Sequence, residues 1–168
     1  MNPALYASDQ MDWQTPYWVL CKVRSLGAIA LDPCSAPENP TSARVWLHPP
    51  TDGLLVDWKK EAGGGVVFVN PPYGRALAKW SEKIVYEARA GTRIVTLTPS
   101  RTDTKWWHAM LEAADTCCLL RGRISFIDPR TRLPRAPAPF PACVMGFNED
   151  IGRGFGSDGA MITGAPPF

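Results

Sequence analysis

The stretch that most constrains this chain is Val66-Val-Phe-Val-Asn-Pro-Pro-Tyr-Gly74. Four successive apolar residues, three of them valine, read as a buried strand. The strand must stop at Asn70, because Pro71 and Pro72 cannot donate to a ladder and hold φ fixed, leaving a rigid turn. That turn is short of donors. Its prolines offer carbonyls without N–H groups, and the Asn70 side chain adds another acceptor oxygen. Such a place suits a ligand atom that carries two hydrogens, as an exocyclic amino or carboxamide nitrogen does. Tyr73 adds a flat apolar face for a planar group. The same residues would also make an ordinary strand-ending turn, since Pro-Pro and Tyr-Gly are common in loops.

At 168 residues the chain has the length of one domain with a real core. Its formal net charge of +2 is too small to define a nucleic-acid partner, so any basic surface has to be argued locally. The five cysteines, at 21, 34, 117, 118 and 143, contain no Cys-x-x-Cys pair. They fit reduced thiols of a cytoplasmic protein rather than disulfides or a zinc site, and no metal is expected. Neither a membrane-spanning run nor a signal pattern is present, and the expectation is a soluble protein.

Residues 1–12 read as a lead-in. Thr15-Pro16 marks a helix start, Thr at the N-cap and Pro at the first helical position. Val19, Leu20, Val23 and Leu26 give that helix a buried side, and Gly27 closes it. A strand over 28–31 then ends in Asp32-Pro33-Cys34. An acid at the carboxyl end of an early strand stands where open parallel sheets bind ligands. No glycine-rich phosphate cradle accompanies it, so a ligand without phosphates remains. Asp32 equally suits a turn-capping role. Residues 35–51 are irregular apart from a short strand over 43–47, and Asp57 follows a second apolar run.

Leu77, Trp80, Ile84, Val85 and Ala88 share one face of a helix over 76–90, and a strand over 93–98 follows. Strand, turn, helix and strand over about thirty residues form a βαβ unit with parallel strands. A second helix, starting at Thr102 or Asp103, carries Trp106 and Trp107, and 116–120 is a further strand. Residues 123–126 and 142–147 are expected to pair antiparallel around a Pro- and Arg-rich loop over 128–141. Arg121, Arg123, Arg130, Arg132 and Arg135 lie in that region against a single acid, Asp128. The loop suits either a phosphate backbone or plain solvent exposure. Residues 148–168 read as a Gly-rich mobile tail.

Taken in order, these pieces resemble the phage-type DNA N6-adenine methyltransferase (Dam-like) family, within the amino-methyltransferases that use S-adenosylmethionine. The matching residues are Trp13-Gln-Thr-Pro16, Leu31-Asp-Pro-Cys34, Asp52-Gly-Leu54, Asp57-Trp58, Asn70-Pro-Pro-Tyr-Gly74, Arg101-Thr-Asp-Thr104, Trp106-Trp107, Gly122-Arg-Ile-Ser-Phe126 and Phe140-Pro-Ala142. They cover residues 13–147, which is the expected methyltransferase domain. Two features depart from the broader pattern: Asp32-Pro33-Cys34 replaces a Phe-x-Gly-x-Gly loop, and Asn70 stands where Asp is usual.

The resemblance implies a single-domain α/β fold of Rossmann-like methyltransferase type, a mostly parallel sheet with helices on both faces. It implies transfer of a methyl group from S-adenosylmethionine to N6 of adenine in DNA, with base flipping. Asn70, Pro71, Pro72 and Tyr73 would be catalytic. Trp13, Thr15, Pro16, Asp32, Pro33, Cys34 and Asp57 would bind the cofactor. Tyr73, Arg101, Trp106, Phe126, Arg123, Arg130, Arg132 and Arg135 would meet the base or the DNA. The expected partner is duplex DNA, met by a monomer in the cytoplasm. RNA adenine or a protein glutamine amide is an alternative substrate, and a non-catalytic nucleic-acid-binding module is the alternative of another class.

Overall fold

The computed structural model describes residues 13–163, so the expected lead-in and residues 164–168 lie outside it. In chain order the elements are α1 (Tyr17–Leu26), β1 (Ile29–Asp32), β2 (Val45–Trp46), α2 (Trp58–Ala62), β3 (Val66–Val69) and α3 (Leu77–Arg89). They continue with β4 (Ile94–Pro99), α4 (Lys105–Ala113), β5 (Thr116–Leu120), β6 (Ala142–Phe147), α5 (Gly152–Phe155) and β7 (Gly159–Thr163). The strands make one seven-stranded sheet in the order β2-β1-β3-β4-β6-β5-β7. β2, β1, β3 and β4 run parallel, and β6 enters antiparallel between β4 and β5.

β3 is buried at all four positions, and its side chains alternate between two cores. Val66 and Phe68 face the layer of α1 and α5, with Val19, Leu20, Val23, Leu26 and Phe155. Val67 and Val69 face α2, α3 and α4, with Trp58, Trp80, Ile84, Trp107 and Met110. Each fully buried Val, Leu or Phe side chain of this kind contributes about 2 kcal/mol by leaving water. The expected α/β architecture, helices covering both faces of a mostly parallel sheet, is the one observed. The βαβ unit is β3-α3-β4, with Val67 opposite Ile94 and Val69 opposite Thr96.

Several local expectations differ. Pro16 rather than Thr15 takes the N-cap position of α1, and the Thr15 side chain turns elsewhere. The helix after β4 starts at a Thr104 cap, not at Thr102 or Asp103. Residues 123–126 form no strand: β6 pairs with β4 and β5 instead, because β5 supplies an uninterrupted apolar ladder. The expected mobile tail is largely structured, since α5 packs Phe155 into the α1 layer and β7 pairs with β5 from Thr116–Thr163 to Leu120–Gly159. Gly159 is needed there, because a Cβ would stand 1.9 Å from the Leu119 carbonyl oxygen.

Candidate active site

From β1 the chain turns one way to β2, and β3 lies on the other side, so the sheet order reverses between β1 and β3. The crevice outside the carboxyl ends of two such strands is the place where open α/β sheets hold ligands. Here it is bounded by Asp32 at the end of β1 and Asn70 just past β3. The Cys34 thiol donates to the Asn70 carbonyl oxygen across 3.4 Å and joins the two strand ends. Burial pushes that thiol well above its ordinary range, so it stays a neutral donor. Behind the turn Gly53 backs onto Pro33 so closely that a Cβ would lie 1.9 Å from its carbonyl oxygen.

Both ends of the Asn70 amide are engaged. Nδ2 donates to Thr15 Oγ1 at 3.2 Å, and Oδ1 accepts from the Tyr73 hydroxyl at 2.8 Å. Burial raises the Tyr73 phenol well above its usual value, which keeps the hydroxyl a donor. The Tyr73 ring meets Phe126 at 6.0 Å and Phe140 at 5.5 Å, both edge to face. Trp13 also lies against Phe126, at 5.6 Å and tilted. Arg101 stands over Phe140 at 6.0 Å, and Arg135 over Trp13 at 5.4 Å. The turn is therefore flanked by aromatic rings, two of which, Phe140 and Trp13, carry an arginine.

Asp32 is only 4% exposed. Its Oδ2 accepts from Thr41 Oγ1 at 2.8 Å and its Oδ1 from the Cys34 N–H at 3.2 Å. Burial raises its pKa, an effect that these hydrogen bonds and Ser35 only partly offset. The carboxylate makes no ion pair among the described residues. The Trp13 indole N–H is likewise buried and has no partner there. Among the described residues this leaves one buried acid without a cation and one buried indole N–H without an acceptor.

The other sequence-derived candidates divide. Phe126, 1% exposed, is a buried support beneath Tyr73 and Trp13 rather than an open wall. Phe140 is half-buried beside Tyr73, and an aromatic residue ahead of β6 is the sequence signal for it. Trp106 is not brought to the turn. It lines a groove between α3 and α4 with Val85, Tyr86, Arg89 and Lys105, because the helical period turns Trp107 inward. Asp57 caps α2 by accepting from the Lys60 N–H at 2.9 Å.

Arg123, Arg130 and Arg132 are exposed, on and beside a loop that carries its own order. Asp128 accepts from the Arg130 N–H at 2.9 Å and from Arg135 Nη2 at 3.1 Å, and these bonds lower its pKa. Ile127 bridges to both Gln14 and Pro134, which joins the loop to the segment carrying Trp13 and Thr15.

A mostly parallel α/β sheet with helices on both faces, its ligand crevice edged by an Asn-Pro-Pro-Tyr turn, is a Rossmann-like methyltransferase fold. The chain belongs to the DNA N-6-adenine-methyltransferase (Dam) family, whose family model matches residues 4–149. DNA adenine N6 methylation is the activity of that family. No curated protein matches the sequence. Among the described residues no helix is long and apolar enough to cross a membrane.

Proposed function

We propose that the protein transfers a methyl group from S-adenosylmethionine to N6 of an adenine rotated out of duplex DNA. The feature that carries this reading is the Asn70-Pro71-Pro72-Tyr73 turn at the sheet's reversal point, whose two prolines carry carbonyls and no N–H groups. S-adenosylmethionine supplies an electrophilic methyl group on a sulfonium. Adenine N6 is a weak nucleophile because its lone pair is delocalised into the ring. Asn70 Oδ1 and the Pro71 carbonyl accept its two N–H groups, draw the nitrogen toward tetrahedral geometry and aim the lone pair at the methyl carbon. A new N–C bond forms as the C–S bond breaks, and the surplus proton leaves N6 afterwards. Positioning and electrostatics account for this catalysis, with no titrating base ahead of attack.

For the cofactor, Trp13, Thr15 and Pro16 would meet the methionine end, and Asp32 its ammonium or ribose hydroxyls. Pro33 and Cys34 would line the crevice, and Asp57 would offer its second carboxylate oxygen to the adenine amino group. For the flipped base, Tyr73 and Phe140 would supply the stacking faces, with Arg101 beside them. Arg123, Arg130, Arg132 and Arg135 would lie along the phosphates. On this reading the protein works in the cytoplasm, that of a bacterial host cell if it is phage-encoded.

The test is transfer of labelled methyl from S-adenosylmethionine to unmethylated duplex DNA, with nucleoside analysis of the digest. N6-methyladenine is the expected product. Asn70→Ala should reduce it by about 10²-fold or more, the usual cost of removing one such polar contact in a transition state. Label in RNA or in protein amides instead of DNA would overturn the substrate, and unchanged turnover in the variant would overturn the site.

A further inference from the structure

An asparagine at the reacting turn raises a problem that an aspartate does not. Its amide has one accepting end and one donating end, whereas a carboxylate accepts at both. Turned by half a rotation, Asn70 would present an NH₂ group to a substrate amine, donor against donor. Its orientation therefore has to be fixed.

The two contacts to the amide differ in kind. The 2.8 Å contact to Tyr73 has the length of an O–H···O bond. The 3.2 Å contact to Thr15 lies in the N–H···O range and is long for a hydroxyl donating to oxygen. Donor and acceptor strengths agree with those lengths. A phenol is a good donor and a poor acceptor, because its lone pair is shared with the ring, and an alcohol oxygen is the better acceptor. Thr15 is 7% exposed and reaches Asn70 from 55 residues away, from the segment just ahead of α1. Among the described residues nothing else accepts from Asn70 Nδ2.

The geometry points to Thr15 as a positioning residue, whose hydroxyl oxygen holds the Asn70 amide with Oδ1 toward the substrate amine. This rests on the reading of Asn70 as the acceptor of that amine, and the experiment separates the two. Thr15→Val keeps the shape of the side chain and removes the oxygen. At saturating cofactor, where a lost cofactor contact would appear in KM, Thr15→Val should lower kcat about 10- to 100-fold, and Thr15→Ser should restore it to within about threefold. In an Asn70→Asp background, which has no amide to orient, adding Thr15→Val should cost less than about threefold. Equal losses in both backgrounds, or an unchanged kcat in Thr15→Val, would overturn the proposal.

A second readout does not depend on activity. The Asn70 side-chain NH₂ resonances, identified by their disappearance in Asn70→Asp, should exchange slowly in the unaltered protein and in Thr15→Ser. They should exchange fast in Thr15→Val. Fast exchange in the unaltered protein would overturn the proposal. Slow exchange with no methyl transfer to any substrate would leave the geometry standing and end the functional reading.

Discussion

The Tyr73 hydroxyl donates to Asn70 Oδ1 across 2.8 Å, so the aromatic residue of the turn is tied to the polar residue at its head. The prolines between them hold the backbone at fixed φ, and the ring is wedged between Phe126 and Phe140. Tyr73 is thus part of the support of Asn70 as well as a candidate surface for a base.

Separating ring from hydroxyl follows directly. Tyr73→Phe should cost about 1 kcal/mol of stability in denaturant unfolding, the net worth of one neutral hydrogen bond, and lower kcat about as much as Thr15→Val does, because it frees the accepting end of the Asn70 amide. Tyr73→Ala removes the ring from between its two neighbours and should cost about 3 kcal/mol and most of the turnover. Equal effects of the two substitutions would mean that the ring contributes nothing of its own.

On the proposed function, Asp32 should make cofactor binding depend on pH. Burial raises its pKa, so the folded chain keeps the Asp32 proton to higher pH than the unfolded chain does. Its contribution to stability is complete below the ordinary carboxylate value and is lost as pH rises through the raised one. A cationic head group favours the charged form, so affinity for S-adenosylmethionine should climb over the same window, with proton release on binding. Calorimetry in buffers of different ionisation heat reads this directly, and binding without proton release would rule it out.

The loop arginines should act through charge rather than sequence. Arg130→Ala and Arg132→Ala should each weaken DNA binding about equally on unrelated duplexes and reduce the slope of log K against log salt by roughly 0.9 per lost phosphate contact. Arg135→Ala should do more, because it also breaks the ion pair with Asp128 and uncovers Trp13. An unchanged salt slope in all three would remove the loop from the interface.

Deleting residues 159–168 should destabilise the protein. β7 is paired along its length with β5, and its Met161 and Ile162 pack on opposite cores. A loss of about 2 kcal/mol, or a fall in Tm of roughly 4–8 °C, is expected. Slow amide exchange at Ala160 to Ile162 in the full chain would agree with it. An unaltered Tm would mean that the strand adds nothing to the fold.

Local pattern made β3, its turn and α3 legible, because an apolar run, a proline pair and a helical period each act over a few residues. α5 and β7 were not, because glycines read as loop and β7 exists by virtue of the edge that β5 offers. Trp106 was misplaced for a related reason: adjacent tryptophans take different sides of a helix, and the side that α3 covers was invisible in the chain. Thr15 showed only a capping signature, since the partner of its side chain lies 55 residues away. The turn could be read directly from its residues, whereas Thr15, Cys34 and Phe126 entered as site residues only through the resemblance, and with other roles than holding the turn.

The strand order also sets a timetable for synthesis. β1, β2, β3 and β4 neighbour one another and emerge in succession, so the turn carrying Asn70 can form on a sheet assembled from the first hundred or so residues. β5 is different: both of its neighbours, β6 and β7, lie later in the chain. At a ribosome it must wait, apolar and unpaired, until residues 142–147 appear. Phe126 and Phe140 arrive in that same interval. The half-made chain therefore exposes its Asn70 turn before the aromatic cover is present, and it is most vulnerable to aggregation or to capture by a chaperone in that interval.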